Sequence, residues 1–150
     1  MEKEKEIYRK VEAFLEKRSY KILDKKRFLK NNIGIDIGQS YVELDVVGYK
    51  DDVVWIIECK VPCTIEQFGF ALGQLVCYKL LFDTKRDLLE QRIGREVKTT
   101  KYSIALLETD KYPLTSGLLE TFKAILSHNK LRFGLLKINE RFNEVEEVSI

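Results

Sequence analysis

The sequence of 150 residues predicts one α/β domain, spanning 1–150, in which helices cover both faces of a central mixed β-sheet. Segments with a helical apolar period alternate along the chain with short apolar runs of strand length. One of these runs, Val53–Val61, is apolar on both of its faces over most of its length. Such a strand is expected in the middle of a sheet that has helices on each side.

The first half of the chain is predicted to hold one helix and three strands. Residues 2–18 are predicted to be helical because their apolar side chains share one stripe, formed by Ile7, Tyr8, Val11, Phe14 and Leu15. A short strand at Tyr20–Leu23 follows the helix. Tyr41–Gly48 and Val53–Val61 are predicted to pair as a hairpin with residues 49–52 as its turn, and Pro62 ends the second strand.

The second half is predicted to alternate helices with strands. Thr64 and Thr115 can each cap the helix that follows them. Between these two helices, a charged amphipathic segment is followed by a short apolar run. The last segment alternates loosely and is predicted to add an edge strand. In chain order the predicted elements are the helices Glu66–Phe82 and Thr84–Val97, the strand Tyr102–Leu107, the helix Thr115–Ser127, the strand Leu131–Ile138 and the edge strand Asn143–Ile150.

The composition excludes several kinds of protein and site. No apolar run approaches the roughly 18 residues of a membrane helix and no signal-peptide pattern opens the chain, so we expect a cytoplasmic protein without a membrane partner. The three cysteines (Cys59, Cys63 and Cys77) form no CxxC pair and His128 is the single histidine. This argues against a disulfide framework, a zinc or iron–sulfur site and a histidine relay. A metal would be held mainly by carboxylates, which favours Mg²⁺ or Mn²⁺.

Four charged side chains are predicted to project from one side of the hairpin. A turn centred on residues 50–51 would place Glu43 opposite Glu58, and because strand side chains alternate, Asp45 and Lys60 would project from the same side. This expectation depends on the register of the pair. The other side would form a core face composed of Val42, Leu44, Val46, Trp55, Ile57 and Cys59.

Charges carried into a covered place must be compensated, because each unpaired one costs several kcal/mol. One alternative is a buried salt-bridge cluster in which Lys60 neutralises one carboxylate. Three acids against one lysine leave excess negative charge, which favours a divalent cation. Asp45 and Glu58 would bind it, together with the Cys59 carbonyl, and Lys60 would orient an attacking water or stabilise a phosphate. Glu43 would be a further ligand or the partner of Lys60.

The order of these residues resembles the PD-(D/E)XK nuclease superfamily. Its aspartate matches Asp45, its acid matches Glu58 and its lysine matches Lys60, with twelve residues between the two acids. The resemblance implies a restriction-endonuclease-like fold, with an α-β-β-β-α-β core followed by a C-terminal α-β unit. It also implies Mg²⁺- or Mn²⁺-dependent cleavage of nucleic acid.

A second motif resembles the RecB-like branch of that superfamily. Gln74 and Tyr78 form a Gln-x-x-x-Tyr pattern on the predicted helix after Lys60, and residues four apart share a helix face. The resemblance implies that both point toward the active site and the nucleic-acid backbone. The family often supplies a further glutamate from the first helix, and the candidates are Glu4, Glu12 and Glu16.

Two functions remain open at this point. The first is a Mg²⁺- or Mn²⁺-dependent nuclease, with DNA favoured over RNA as substrate. The second is a nucleic-acid-binding or assembly module that keeps the fold without cutting; a plain interaction domain with a buried ion-pair network is a weaker third. A net charge of +2 and a pI near 8.3 are too mildly basic to decide between them. A homodimer is also left open.

Overall fold

The computed structural model describes residues 2–23, 33–36, 41–128, 130–141 and 144–150, and it forms an α/β fold in that part of the chain. The helices are α1 (Glu2–Lys17), α2 (Ile65–Thr84), α3 (Arg86–Ile93) and α4 (Ser116–His128). The strands are β1 (Lys21–Ile22), β2 (Ile33–Asp36), β3 (Tyr41–Leu44), β4 (Val46–Lys50), β5 (Val53–Lys60), β6 (Thr99–Glu108), β7 (Gly134–Asn139) and β8 (Val145–Val148).

The main sheet is mixed, as predicted. Its strand order is β1-β4-β5-β6-β7-β8, while β2 and β3 pair with each other in a separate two-stranded sheet. The central pairs β5–β6 and β6–β7 are parallel, and the flanking pairs β1–β4, β4–β5 and β7–β8 are antiparallel. β5 therefore lies inside the sheet, which is where its two apolar faces predicted it.

Each face of the sheet has its own core. On one face α1 buries its predicted stripe against alternate residues of β5, including Trp55 and Ile57. On the other face α2 and α4 pack over Val54 and Ile56, and their rings of Phe68 and Phe122 stack 4.1 Å apart. Helices on both faces of this mixed sheet confirm the predicted restriction-endonuclease-like fold.

The predicted strand Tyr41–Gly48 is wrong in one respect, because it breaks at Asp45 into β3 and β4. In the observed register Val46 lies opposite Ile57, so Glu43 does not pair with Glu58 as predicted. The register differs from the predicted one by two residues, and a shift by two leaves each side chain on its original face. The break, in contrast, moves Leu44 to the other face of the sheet. Leu44 was predicted on the face of Trp55 and Ile57, but it packs in the core under α2 rather than in the core under α1.

Other element bounds differ where turn chemistry decides them. The predicted helix Thr84–Val97 is shorter in the structure, because Gly94 adopts a left-handed φ of 82° and ends α3 at Ile93. The strand β2 was missed, although Ile33-Gly-Ile-Asp36 alternates in sequence. Thr64 and Thr115 cap their helices as predicted, accepting hydrogen bonds from the third residue after each. None of the helices in the described residues has both the length and the apolar character needed to cross a membrane.

Candidate active site

A polar cavity of about 570 Å³ lies at the carboxyl end of β5, between α1 and α2. The three residues of the motif, Asp45, Glu58 and Lys60, all line it. Asp45 lies at the break between β3 and β4, and Glu58 and Lys60 are alternate residues at the end of β5, so all three lie at the same end of the sheet. The other residues of its lining are Glu4, Tyr8, Val42, Glu43, Cys59, Val61, Gln67, Gln74 and Tyr78.

Asp45 lies at the break between β3 and β4, and its carboxylate takes over part of the strand pairing. Its Oδ2 accepts a hydrogen bond of 2.8 Å from the Cys59 backbone N–H. The carboxylate thus replaces the backbone carbonyl that this N–H would otherwise bond where the strand pairing is interrupted. Its Oδ1 accepts a bond of 3.2 Å from the Tyr8 hydroxyl on α1. Asp45 is only 6% exposed, and these two bonds hold its carboxylate in one orientation.

Glu58 is the most deeply buried acid of the site, at 2% exposure. Its Oε1 has no hydrogen-bond partner among the described residues, and its Oε2 lies 3.6 Å from Lys60 Nζ. Burial, and to a lesser extent the neighbouring Asp45 carboxylate, raises the pKa of this carboxyl to about 9 against a smaller lowering effect of Lys60. Glu58 therefore retains a proton at neutral pH unless a further positive charge is added.

These features fit a divalent cation. If both carboxyls are ionised, Asp45 and Glu58, whose Oε1 is buried and unpartnered among the described residues, carry one more negative charge than Lys60 offsets, and a cation would supply the missing positive charge. Oxygen donors of this kind suit Mg²⁺ or Mn²⁺. Among the described residues, no group of three or more Asp, Glu, His or Cys side chains is arranged to hold a metal, so Asp45 and Glu58 would need backbone or water oxygens to complete the coordination.

Gln74 and Tyr78 lie one turn apart on α2, and both line the cavity. The Tyr78 hydroxyl donates a 3.0 Å hydrogen bond to the backbone oxygen of Glu43, which ties α2 to β3. Burial raises the pKa of Tyr78, and the carboxylates of Glu58 and Asp45 raise it further, so the phenol stays protonated. The Gln74 side chain lowers the pKa of Tyr78 by less, and its own Oε1 has no hydrogen-bond partner in the described part of the chain.

The structure separates the three glutamates of the first helix. Glu4 lines the cavity, whereas neither Glu12 nor Glu16 does, and Glu16 is exposed. Glu43 lines the cavity from β3, although it does not share a strand pair with Glu58.

Two polar residues of the cavity, Tyr8 and Gln67, were not predicted from the sequence. Tyr8 was counted only as part of the apolar stripe of α1, but its hydroxyl contacts Asp45. A tyrosine in a buried stripe needs a partner for its hydroxyl, and this was the available signal. Gln67 lies seven residues before Gln74, two helical turns away on the same face of α2, and this spacing could have identified it.

Two solved structures share this fold. The chain matches an XisH family protein from Nostoc punctiforme at 18% identity with a TM-score of 0.56, covering 96% of this chain and 99% of that one. It matches an fdxN element excision controlling factor protein from Anabaena variabilis at 18% identity with a TM-score of 0.57, covering 97% and 99%. No protein-family model matches the chain. No curated protein matches it.

Proposed function

We propose that this chain is a metal-dependent nuclease that hydrolyses phosphodiester bonds in DNA. The observation that carries the proposal is the pairing of Asp45 with Glu58, both buried, beside Lys60 in one polar cavity. Burying two acids beside a single lysine is unfavourable for a purely structural cluster, whereas a cation-dependent site requires it.

Asp45 and Glu58 would hold Mg²⁺ or Mn²⁺, with the Cys59 carbonyl as a backbone ligand. An extended residue directs its N–H and its C=O to the same side, and the Cys59 N–H points to Asp45, so its carbonyl lies on the appropriate edge of β5. When bound, the cation would lower the pKa of an attacking water and polarise a phosphoryl oxygen. Tyr8 holds Asp45 in orientation through its hydroxyl.

Lys60 would bind the phosphate or the attacking water, because it is the cationic side chain next to Glu58 and is one-fifth exposed to the cavity. Gln74 would use its side-chain amide, whose N–H can donate to a phosphate oxygen, toward the nucleic acid, and Tyr78 would keep α2 against β3. These roles would place the chain in the RecB-like branch with its Gln-x-x-x-Tyr motif. The name of the Anabaena variabilis protein, an excision controlling factor, is compatible with a role on nucleic acid.

The direct test is cleavage of single-stranded, duplex and branched DNA by the purified chain with Mg²⁺ or Mn²⁺. We expect cleavage that EDTA abolishes and that Asp45→Asn and Lys60→Met each reduce by about a hundredfold or more. Asp83→Asn and Lys79→Met are matched controls, since these two residues form an exposed ion pair on α2. Intact DNA with every substrate and either metal, or full activity in Asp45→Asn, would sink the proposal.

A non-cleaving nucleic-acid-binding or assembly module is the second candidate. It is favoured by one observation, the lack of a three-residue acidic, histidine or cysteine metal group in the described part of the chain. Calorimetric titration with Mn²⁺ separates the two functions. A nuclease must bind the ion through Asp45, whereas a binding module would take up none and would bind DNA equally well as Asp45→Asn.

A further inference from the structure

The outer face of α2 carries a row of exposed residues. They follow one another at alternating intervals of four and three, which is the spacing that lines up one side of a helix. Phe70 and Leu80 are 62% and 63% exposed, the two most exposed of the large hydrophobic side chains among the described residues. We call this row the α2 seam, and it consists of Glu66, Phe70, Gly73, Cys77, Leu80 and Thr84.

The helix behind this seam is apolar on its other side as well. Its inward residues, such as Leu75 and Phe82, are buried in the core. No charged residue occurs from 67 to 78, a run of twelve. An exposed apolar surface on a helix that already buries apolar residues on another side, bordered by charge, marks an interaction surface.

Two glycines within α2 face open space in the described fold. A Cβ atom added at Gly69 or Gly73 would meet nothing within 4 Å among the described residues. Glycine in the middle of a helix is destabilising relative to alanine, so an unneeded glycine indicates a constraint from outside the helix. The familiar constraint is close approach of a second helix backbone, for which a small residue at every fourth position is suited.

We propose that a second copy of this chain packs on the α2 seam, with a two-fold axis near Gly73 and Cys77. In that arrangement Phe70 packs against Leu80 of the second copy, and the small residues meet at the centre. A two-fold contact brings the same surface against itself. The uncharged run 67–78 permits this, because no like charges meet at its centre.

The expected dimer is weak. A helix of 20 residues is about 30 Å long, and a strip of that length and of one helix width is less than half of the roughly 800 Å² per partner that a standard interface buries. We therefore expect monomers and dimers to exchange, with a dissociation constant in the micromolar range. The dimer does not depend on the proposed cleavage, and an inactive chain would leave it intact.

The first test is sedimentation velocity of the full chain over a wide range of protein concentration. We expect a concentration-dependent dimer, which Leu80→Glu weakens by about tenfold or more because a charge enters the seam. Ile150→Glu is the control, since Ile150 is a 53% exposed apolar residue outside α2. A monomer at every concentration, or a dimer that Leu80→Glu leaves unchanged, would overturn the proposal.

The second test uses opposite effects of one substitution. Gly73→Ala should raise the melting temperature of the dilute monomer, because it replaces a mid-helix glycine and its new methyl group points into open space. The same substitution should weaken the dimer, because the methyl group keeps the two helices apart. Gly117→Ala in α4 is the matched control, since a Cβ there also meets nothing within 4 Å of the described residues. It should raise stability without changing dimerisation. A Gly73→Ala variant that dimerises as well as the native chain contradicts the close approach.

Cys77 reports directly on the seam. It is exposed, whereas the other two cysteines are buried, so a maleimide should label it selectively and Cys77→Ser gives the background. The labelling rate should fall as the protein concentration rises through the dimer range. Slow labelling at every concentration would mean that the same chain covers the seam, and would refute a second copy as its occupant.

Discussion

The Tyr8 hydroxyl lies 3.2 Å from Asp45 Oδ1, and this contact joins the first helix to the break in the strand that carries the motif aspartate. The two residues are 37 positions apart in the chain, and both are buried. The other carboxylate oxygen of Asp45 is held by the Cys59 backbone N–H. Asp45 is thus oriented from two elements at once, which is the support that a metal ligand requires.

Tyr8→Phe removes one of these two supports without changing the apolar contacts of the ring. We expect Mn²⁺ affinity, and cleavage if it occurs, to fall by about tenfold or more, as for other groups that orient a metal ligand. The free energy of unfolding should change by only about 0.5–1.5 kcal/mol. Calorimetry and urea unfolding measure the two effects, and Tyr112→Phe, in an exposed loop position, is the control. Unchanged metal affinity would argue against an orienting role.

The raised pKa of Glu58, about 9 in the folded chain against an ordinary value of 4.5, predicts a pH-dependent stability. The folded chain binds this proton more tightly than the unfolded chain does, so the stabilisation is complete below about 4.5 and is lost as the pH rises toward 9. Without metal, the free energy of unfolding should therefore fall between pH 6 and 8 by up to about 1.4 kcal/mol per pH unit. Glu58→Gln should remove this slope, and urea unfolding at several pH values measures it. Equal slopes in both proteins would contradict the assignment.

The affinity for metal should depend on pH through the same proton of Glu58. A cation that binds both carboxylates must displace the proton of Glu58, so the apparent affinity for Mn²⁺ should rise by about tenfold per pH unit below pH 9. Calorimetry in two buffers of different ionisation enthalpy counts the released protons, and we expect close to one. Glu58→Gln should release none, and Asp45→Asn should bind the ion weakly at every pH. Proton-independent binding by the native chain would place the ion elsewhere.

Trp55 provides a structural prediction away from the cavity. Its indole N–H donates a 2.9 Å hydrogen bond to Ser103 Oγ, and a Cβ added at Gly134 would lie 2.6 Å from that same oxygen. Gly134→Ala should destabilise the fold by about 1–3 kcal/mol, because the added methyl group displaces the Ser103 hydroxyl and breaks its hydrogen bond with the Trp55 indole. The same change should cost less in a Ser103→Ala background, where the obstructing oxygen is absent. A double-mutant cycle by urea unfolding checks this, and additive effects would contradict it.

Much of the fold was predictable because it rests on local patterns. The stripe of α1, the Thr64 cap and the two apolar faces of β5 depend on residues that are near one another in sequence. The break at Asp45 was not predictable in this way, since Val42–Val46 alternates without interruption and the break is compensated by a side chain bonded to Cys59. Four basic residues that follow the first helix in the sequence, Lys25, Lys26, Arg27 and Lys30, lie outside the described residues.

The sequence alone indicates that Asp45, Glu58 and Lys60 can share one side of a strand pair, because side-chain alternation is a local property and a register shift of two residues preserves it. It likewise determined that Gln74 and Tyr78 would share a helix face. The folded chain was needed to show that Glu4 rather than Glu12 or Glu16 lines the cavity, and that Tyr8 contacts Asp45. These outcomes depend on how α1 is placed against the end of the sheet, and that placement is set by the packing of residues distant in the chain.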